Sequence, residues 1–143
     1  MTVGDFHEKL DIPNDSACLF QVRDLVSRGV RESGFPAQVI NRLQIAVDEA
    51  VSNIIEHGYI NVPRGKGTIA LVVDVSADRF RIEIIDNGIS FDPRNLSDID
   101  IQKHAAEGKA GGLGVFLMRK IMDVVDYRFE AGKENRLVLV KNR

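Results

Sequence analysis

Apolar residues recur along this chain with two periods, and the switches between them outline the elements. Leu10 and Ile12 alternate with polar neighbours before Pro13, which predicts a short opening strand over residues 6 to 12. A helix follows, with Asn14 or Asp15 at its start, Leu19, Val22, Val26 and Val30 at three- and four-residue steps, and Gly34 with Pro36 at its end. From Ala37 to His57 the helical period is strongest, with Ile40, Leu43, Val47, Ala50, Val51 and Ile54 on one face and Gly58 as the stop. Residues 68 to 75 (TIALVVDV) and Arg79 to Asp86 return to strand character, with a hairpin marked by Asp78.

The pattern collapses between Ser90 and Gly111 into polar residues, glycines and alanines. A loop of that length inside a small domain is usually functional. A third helix starts near Gly112 and carries Val115, Phe116, Met118, Ile121 and Met122. Two strands, Val124 to Glu130 and Arg136 to Lys141, close the chain around the hairpin loop AGKEN. The order β, α, α, β, β, loop, α, β, β predicts an α+β fold: a two-layer α/β sandwich of helices on one face of a mainly antiparallel mixed sheet. No repeat or linker divides the sequence, so residues 1–143 read as one domain.

Composition narrows the function classes. The 143 residues are 44% hydrophobic and 28% charged with a net charge of −2, which fits a folded globule and offers no broad basic footprint for nucleic acid. No apolar run approaches a membrane span and the first residues lack a signal-peptide layout, so no membrane partner and a cytoplasmic location are expected. The single cysteine, Cys18, cannot form an internal disulfide and reads as a small buried apolar residue on a helix. His7, His57 and His104 are scattered, which points away from a dedicated zinc site.

Three constellations could carry chemistry. In DEAVSNIIEHGY, Glu49, Asn53 and His57 follow one another at four-residue steps and form a polar ridge away from the Val47/Val51 stripe. A carboxylate there could take a proton from a hydroxyl, and an amide oxygen is a hard ligand suited to Mg²⁺. The same ridge is also what a solvated helix face looks like. In IIDNGISFDP, a strand runs directly into Asp86, Asn87 and Gly88. An acid there could accept from an amine of a ligand, and an ordinary Asp-Asn-Gly turn has the same residues. In KAGGLGVFLM, Gly111, Gly112 and Gly114 lead into a helix whose free N–H groups could cradle phosphate. A Rossmann fingerprint would need glycine at Leu117, and a P-loop would need it at Ile60 or Lys103.

In order and spacing these motifs resemble the N, G1 and G2 boxes of the histidine-kinase-like ATPases, the GHKL superfamily. Within it, DEAVSNIIEHGY, DNGISFDP and GGLGVFLMRKIMDVVDY resemble the bacterial anti-sigma-factor serine/threonine protein kinases. The resemblance implies an ATP-dependent serine kinase. Asn53 would hold Mg²⁺ at the phosphates, Glu49 would act as general base, and Asp86 would bind the adenine amino group. It further implies that Gly88 shapes the base pocket, that Gly112 and Gly114 offer N–H groups to phosphate, and that His57 approaches the phosphates. Residues 90 to 111 would form a lid over ATP.

The partners implied are a STAS-type anti-anti-sigma protein as substrate, a sigma factor that is sequestered, and a second copy of the chain in a homodimer. Ser90 stands where many members have a second glycine, and GKENRLVLV lacks the Gly-Thr pair common near the adenine pocket. A nucleotide-gated binding module without catalysis and a detached histidine-kinase catalytic domain are the alternatives. Against the second, Glu49 stands where histidine kinases more often have Asn.

Overall fold

The computed structural model describes residues 4–89, 112–129 and 134–143. The expected lid and the tip of the last hairpin therefore lie outside the described residues. Strand β1 (Phe6–Pro13) leads through a single turn at Ser16–Cys18 into helix α1 (Leu19–Ser33). The Asp15 carboxylate accepts the Ala17 N–H at 3.0 Å and so caps that turn. Gly34 takes the left-handed conformation at φ 78°, which ends α1. After a turn at Ala37–Val39 comes α2 (Ile40–Asn53). Strands β2 (Thr68–Val75) and β3 (Arg79–Asp86), helix α3 (Gly112–Ile121), and strands β4 (Val124–Phe129) and β5 (Asn135–Asn142) complete the order.

The five strands form one sheet in the order β1-β2-β3-β5-β4. All four ladders are antiparallel, with no parallel pair among the described residues of a sheet expected to be mixed. The reason lies in the last hairpin. β3 and β4 run in the same direction, since each is antiparallel to β5, and β5 lies between them and separates the parallel pair.

Side chains alternate across the pleat. One row of cross-strand partners runs Leu10, Leu71, Ile84, Leu137 and Tyr127, and this row faces the helices. Beneath α1 and α2 it meets Leu25, Val26, Leu43, Val47 and Val51, all without solvent exposure. The opposite face is mixed: Val72, Ile85, Val138 and Val140 stand among ion pairs, His7 with Asp74 and Arg136 with Glu83. Such half-exposed pairs contribute little stability but keep the open face wet. Helix α2 packs against both α1 and α3 and is the central helix of the layer. Cys18 ends the capped turn before α1, partly buried against the core rather than inside it.

Candidate functional site

The strong period of α2 does not run to His57 in α-helical form. From Ile54 to Gly58 the chain widens into a π-turn, and the Tyr59 N–H reaches back five residues to the Ile54 carbonyl at 3.0 Å. His57 lies within this wider turn, whose residues depart from the α-helical phase of Glu49 and Asn53. His57 is exposed and is not among the described residues lining the cavity below. Of the three ridge residues, Asn53 lines the cavity, and neither Glu49 nor His57 is among its described lining residues.

The π-turn brings Gly58 against the end of β3. The Ile89 N–H donates to the Gly58 carbonyl at 2.7 Å, and a Cβ on Gly88 would stand 2.5 Å from that same oxygen. Gly88 is thus required for close backbone approach; it shapes the cavity from behind and does not line it. Tyr59, buried at 5% exposure, makes a second clamp. Its hydroxyl donates to the Thr68 carbonyl at 2.8 Å and accepts the Asn87 N–H at 3.0 Å.

Between the π-turn, the ends of β3 and β5, and α3 lies a cavity whose lining includes Asn53, Ile54, Gly58, Asp86, Met118 and Tyr127. Its walls are largely apolar, with two polar groups converging on it. Such a composition suits a flat, partly apolar ligand. Asn53 is 6% exposed, and its side chain makes no hydrogen bond among the described residues. Asn53 is mostly covered, Glu49 is half-buried and His57 is exposed, so burial along the ridge is graded rather than uniform. The amide atoms of Asn53 are not among the fully buried groups without a partner, so they keep access to the cavity's solvent and are open to a ligand.

Asp86 is 4% exposed. Its Oδ1 accepts the Gly88 N–H at 2.8 Å and the Asn135 side-chain amide at 3.0 Å, while Oδ2 receives no hydrogen bond among the described residues. Burial pushes its carboxyl above the ordinary value, and the Asn135 and Gly88 donors pull it back. Glu49, one helical turn before Asn53, is half-buried. Its carboxyl is raised chiefly by burial, then by the negative charges of Glu56 and Asp48. A raised carboxylate is a stronger base, which is what abstraction of a hydroxyl proton asks of it.

Gly112 and Gly114 lie within the first turn of α3, so glycine backbone does open that helix. The same helix sends Met118 into the cavity wall. The residues that a motif reading passes over are Tyr59, Met118, Tyr127 and above all Asn135. The available signal for Asn135 was its place at the head of an alternating strand, where its β3 partner is Asp86.

Sheet, helices and cavity together have the form of a nucleotide-binding ATPase domain. A family model described as the histidine kinase-like ATPase domain matches residues 12–141, and the chain belongs to that family. Within it, the chain is similar to the serine-protein kinase RsbW of Halalkalibacterium halodurans, 33% identical over 128 residues that cover 87% of this chain and 76% of that protein. It is likewise similar to RsbW of Bacillus cereus, at 30% identity over 87% of this chain and 78% of the relative. These are the anti-sigma kinases of the GHKL superfamily that the motifs resemble. Among solved structures, the fold matches the RsbU and RsbW domains of Rv1364c from Mycobacterium tuberculosis with a TM-score of 0.66 at 17% identity. The match covers 96% of this chain and spans about a third of that longer one. Among the described residues, no helix is long and apolar enough to cross a membrane.

Proposed function

We propose that this chain is an ATP-dependent serine protein kinase and anti-sigma factor, which phosphorylates a STAS-type anti-anti-sigma protein and sequesters a sigma factor. The observation that carries the reading is Asn53, buried in the cavity wall without a side-chain partner among the described residues, one turn beyond Glu49. The donor set fits Mg-ATP. The amide oxygen of Asn53 is a hard ligand for Mg²⁺, Asp86 keeps a free carboxylate oxygen for an adenine amino group, and the apolar wall suits a purine ring.

Bound Mg-ATP would supply the transferable phosphoryl group and the charge that neutralises it. The chain's own work is positioning and proton handling. Asp86 and Gly58 would hold the base, with Gly88 shaping that wall from behind; Asn53 would hold the metal, and Gly112 and Gly114 would offer backbone N–H groups to phosphate. Glu49 takes the proton from the substrate serine, aided by the burial and neighbouring charge that raise its basicity. Relatives named serine-protein kinases support the assignment of a protein hydroxyl as acceptor. A homodimer through β1 is supported by its place at the edge of the sheet, where one side of the strand pairs with no other strand among the described residues.

The test is transfer of labelled terminal phosphate from Mg-ATP to a purified STAS-domain protein of the same organism, comparing wild type with Glu49→Ala. Acid-stable label lost in the variant is the expected result. Acid-labile label would identify a phosphohistidine reaction. Nucleotide binding without transfer would leave a nucleotide-gated binding module. A monomer mass in light scattering with ADP present would overturn the dimer.

A further inference from the structure

The departure of the last hairpin from the Gly-Thr pattern is filled by a residue with its own chemistry. Asn135 begins β5 directly opposite Asp86 on β3, is 4% exposed, and belongs to the row that faces the helices. Its side-chain nitrogen lies 3.0 Å from Asp86 Oδ1 and 2.9 Å from the Gly88 carbonyl oxygen. Both partners are acceptors, so only the amide nitrogen, with its two N–H groups, can face them. A hydroxyl in this place would have one proton and could hold only one of the two.

We infer that Asn135 is a positioning residue that sets base selectivity: by tying one oxygen of Asp86 to the backbone at Gly88, it leaves the other as a fixed acceptor for a 6-amino purine. This rests on the nucleotide reading above and deepens it. An ionised carboxylate accepts and cannot donate, so a fixed Asp86 oxygen pairs with an exocyclic amine and repels the carbonyl of a 6-oxo purine. Sites that hydrogen-bond one specific polar group reject analogues lacking it far more strongly than apolar pockets reject a missing methylene. Without Asn135, Oδ1 keeps only the Gly88 N–H, and the carboxylate gains freedom to turn and to hold a proton. A protonated carboxyl can donate to a 6-oxo group, so the distinction between the two purines erodes.

The experiment is calorimetric binding of three diphosphates to the full chain: ADP, GDP, and the purine riboside diphosphate that has only hydrogen at position 6. Wild type is expected to prefer ADP over GDP by at least about a hundredfold. Asn135→Ala is expected to lose about tenfold or more in ADP affinity, with the 6-hydrogen analogue changed by less than about threefold. Parallel loss of all three ligands would show a merely structural role and overturn the inference, as would an unchanged ADP-to-GDP ratio. Asn135→Thr, which restores one donor, is expected to recover part of the preference; it carries the comparison if the alanine variant does not fold. A wild type that binds none of the three would overturn the nucleotide reading itself, a result distinct from ADP binding that ignores Asn135.

Discussion

Gly88 and Gly58 are pressed together so closely that a Cβ on Gly88 would lie 2.5 Å from the Gly58 carbonyl oxygen and 2.7 Å from its carbonyl carbon. The obstacle is backbone and cannot swing aside. Gly88→Ala is therefore expected to destabilise the fold by about 2–3 kcal/mol, by overpacking and by loss of the Ile89 to Gly58 hydrogen bond. Denaturant unfolding measures this directly. Gly4→Ala, at a position with nothing within 4 Å, is the control expected to show no change.

Tyr59 joins the chain after the π-turn to both β2 and the Asp-Asn-Gly turn through one hydroxyl. Tyr59→Phe keeps the ring and leaves the Thr68 carbonyl and the Asn87 N–H without that partner. The expected cost is about 1–3 kcal/mol of stability. Hydrogen exchange should show the loss concentrated at Asn87, because its amide loses the acceptor that protected it.

Asn53 presents the opposite balance. Its side chain contributes no hydrogen bond among the described residues, so Asn53→Ala is expected to change folding stability by less than about 1 kcal/mol. Nucleotide affinity in the presence of Mg²⁺ should fall by at least about tenfold. Thermal unfolding with and without Mg-ADP separates the two effects: the apo midpoints should nearly coincide, and only wild type should gain strongly from ligand.

Glu49 predicts a pH dependence with a definite sign. Its folded carboxyl is raised above the ordinary 4.5 by burial, then by Glu56 and Asp48, so the native state holds this proton to higher pH than the unfolded chain. Stability from this group is lost as pH rises from the ordinary value through the raised one, and Glu49→Gln should be the more stable protein at neutral pH. Phosphate transfer runs the other way. It needs the ionised form, so the acid limb of the rate profile should lie above the ordinary carboxylate range, and Glu56→Gln should move it down. An acid limb at the ordinary value, unmoved by Glu56→Gln, would remove Glu49 from the role of base.

Local patterning carried much of this protein. The spacing of Leu43, Val47 and Val51 located α2, the alternation in Arg79 to Asp86 located β3, and Gly34 marked the end of α1. These are properties of neighbouring residues, since a helix or a strand selects its buried face from a repeat of a few positions. The motif order also led to the family, because Glu49, Asn53, Asp86 and the glycines that open α3 appear as short segments.

What tertiary structure alone decided depends on distant segments meeting. Nothing in IIEHGY announces a π-turn, whose extra residue is stabilised by the contact of Gly58 with Gly88 and Ile89. The burial of Asn53 depends on the packing of α2 against β3 and α3, so an amphipathic pattern read by itself could equally describe a wet ridge. Asn135 is the clearest case. It lies 49 positions from Asp86 in sequence, and only the β3–β5 register brings its amide to that carboxylate. A side chain's local environment in sequence sets its tendency to helix or strand, whereas its hydrogen-bond partner is set by which strands are neighbours. The sheet order that places β5 beside β3 is a property of the whole chain.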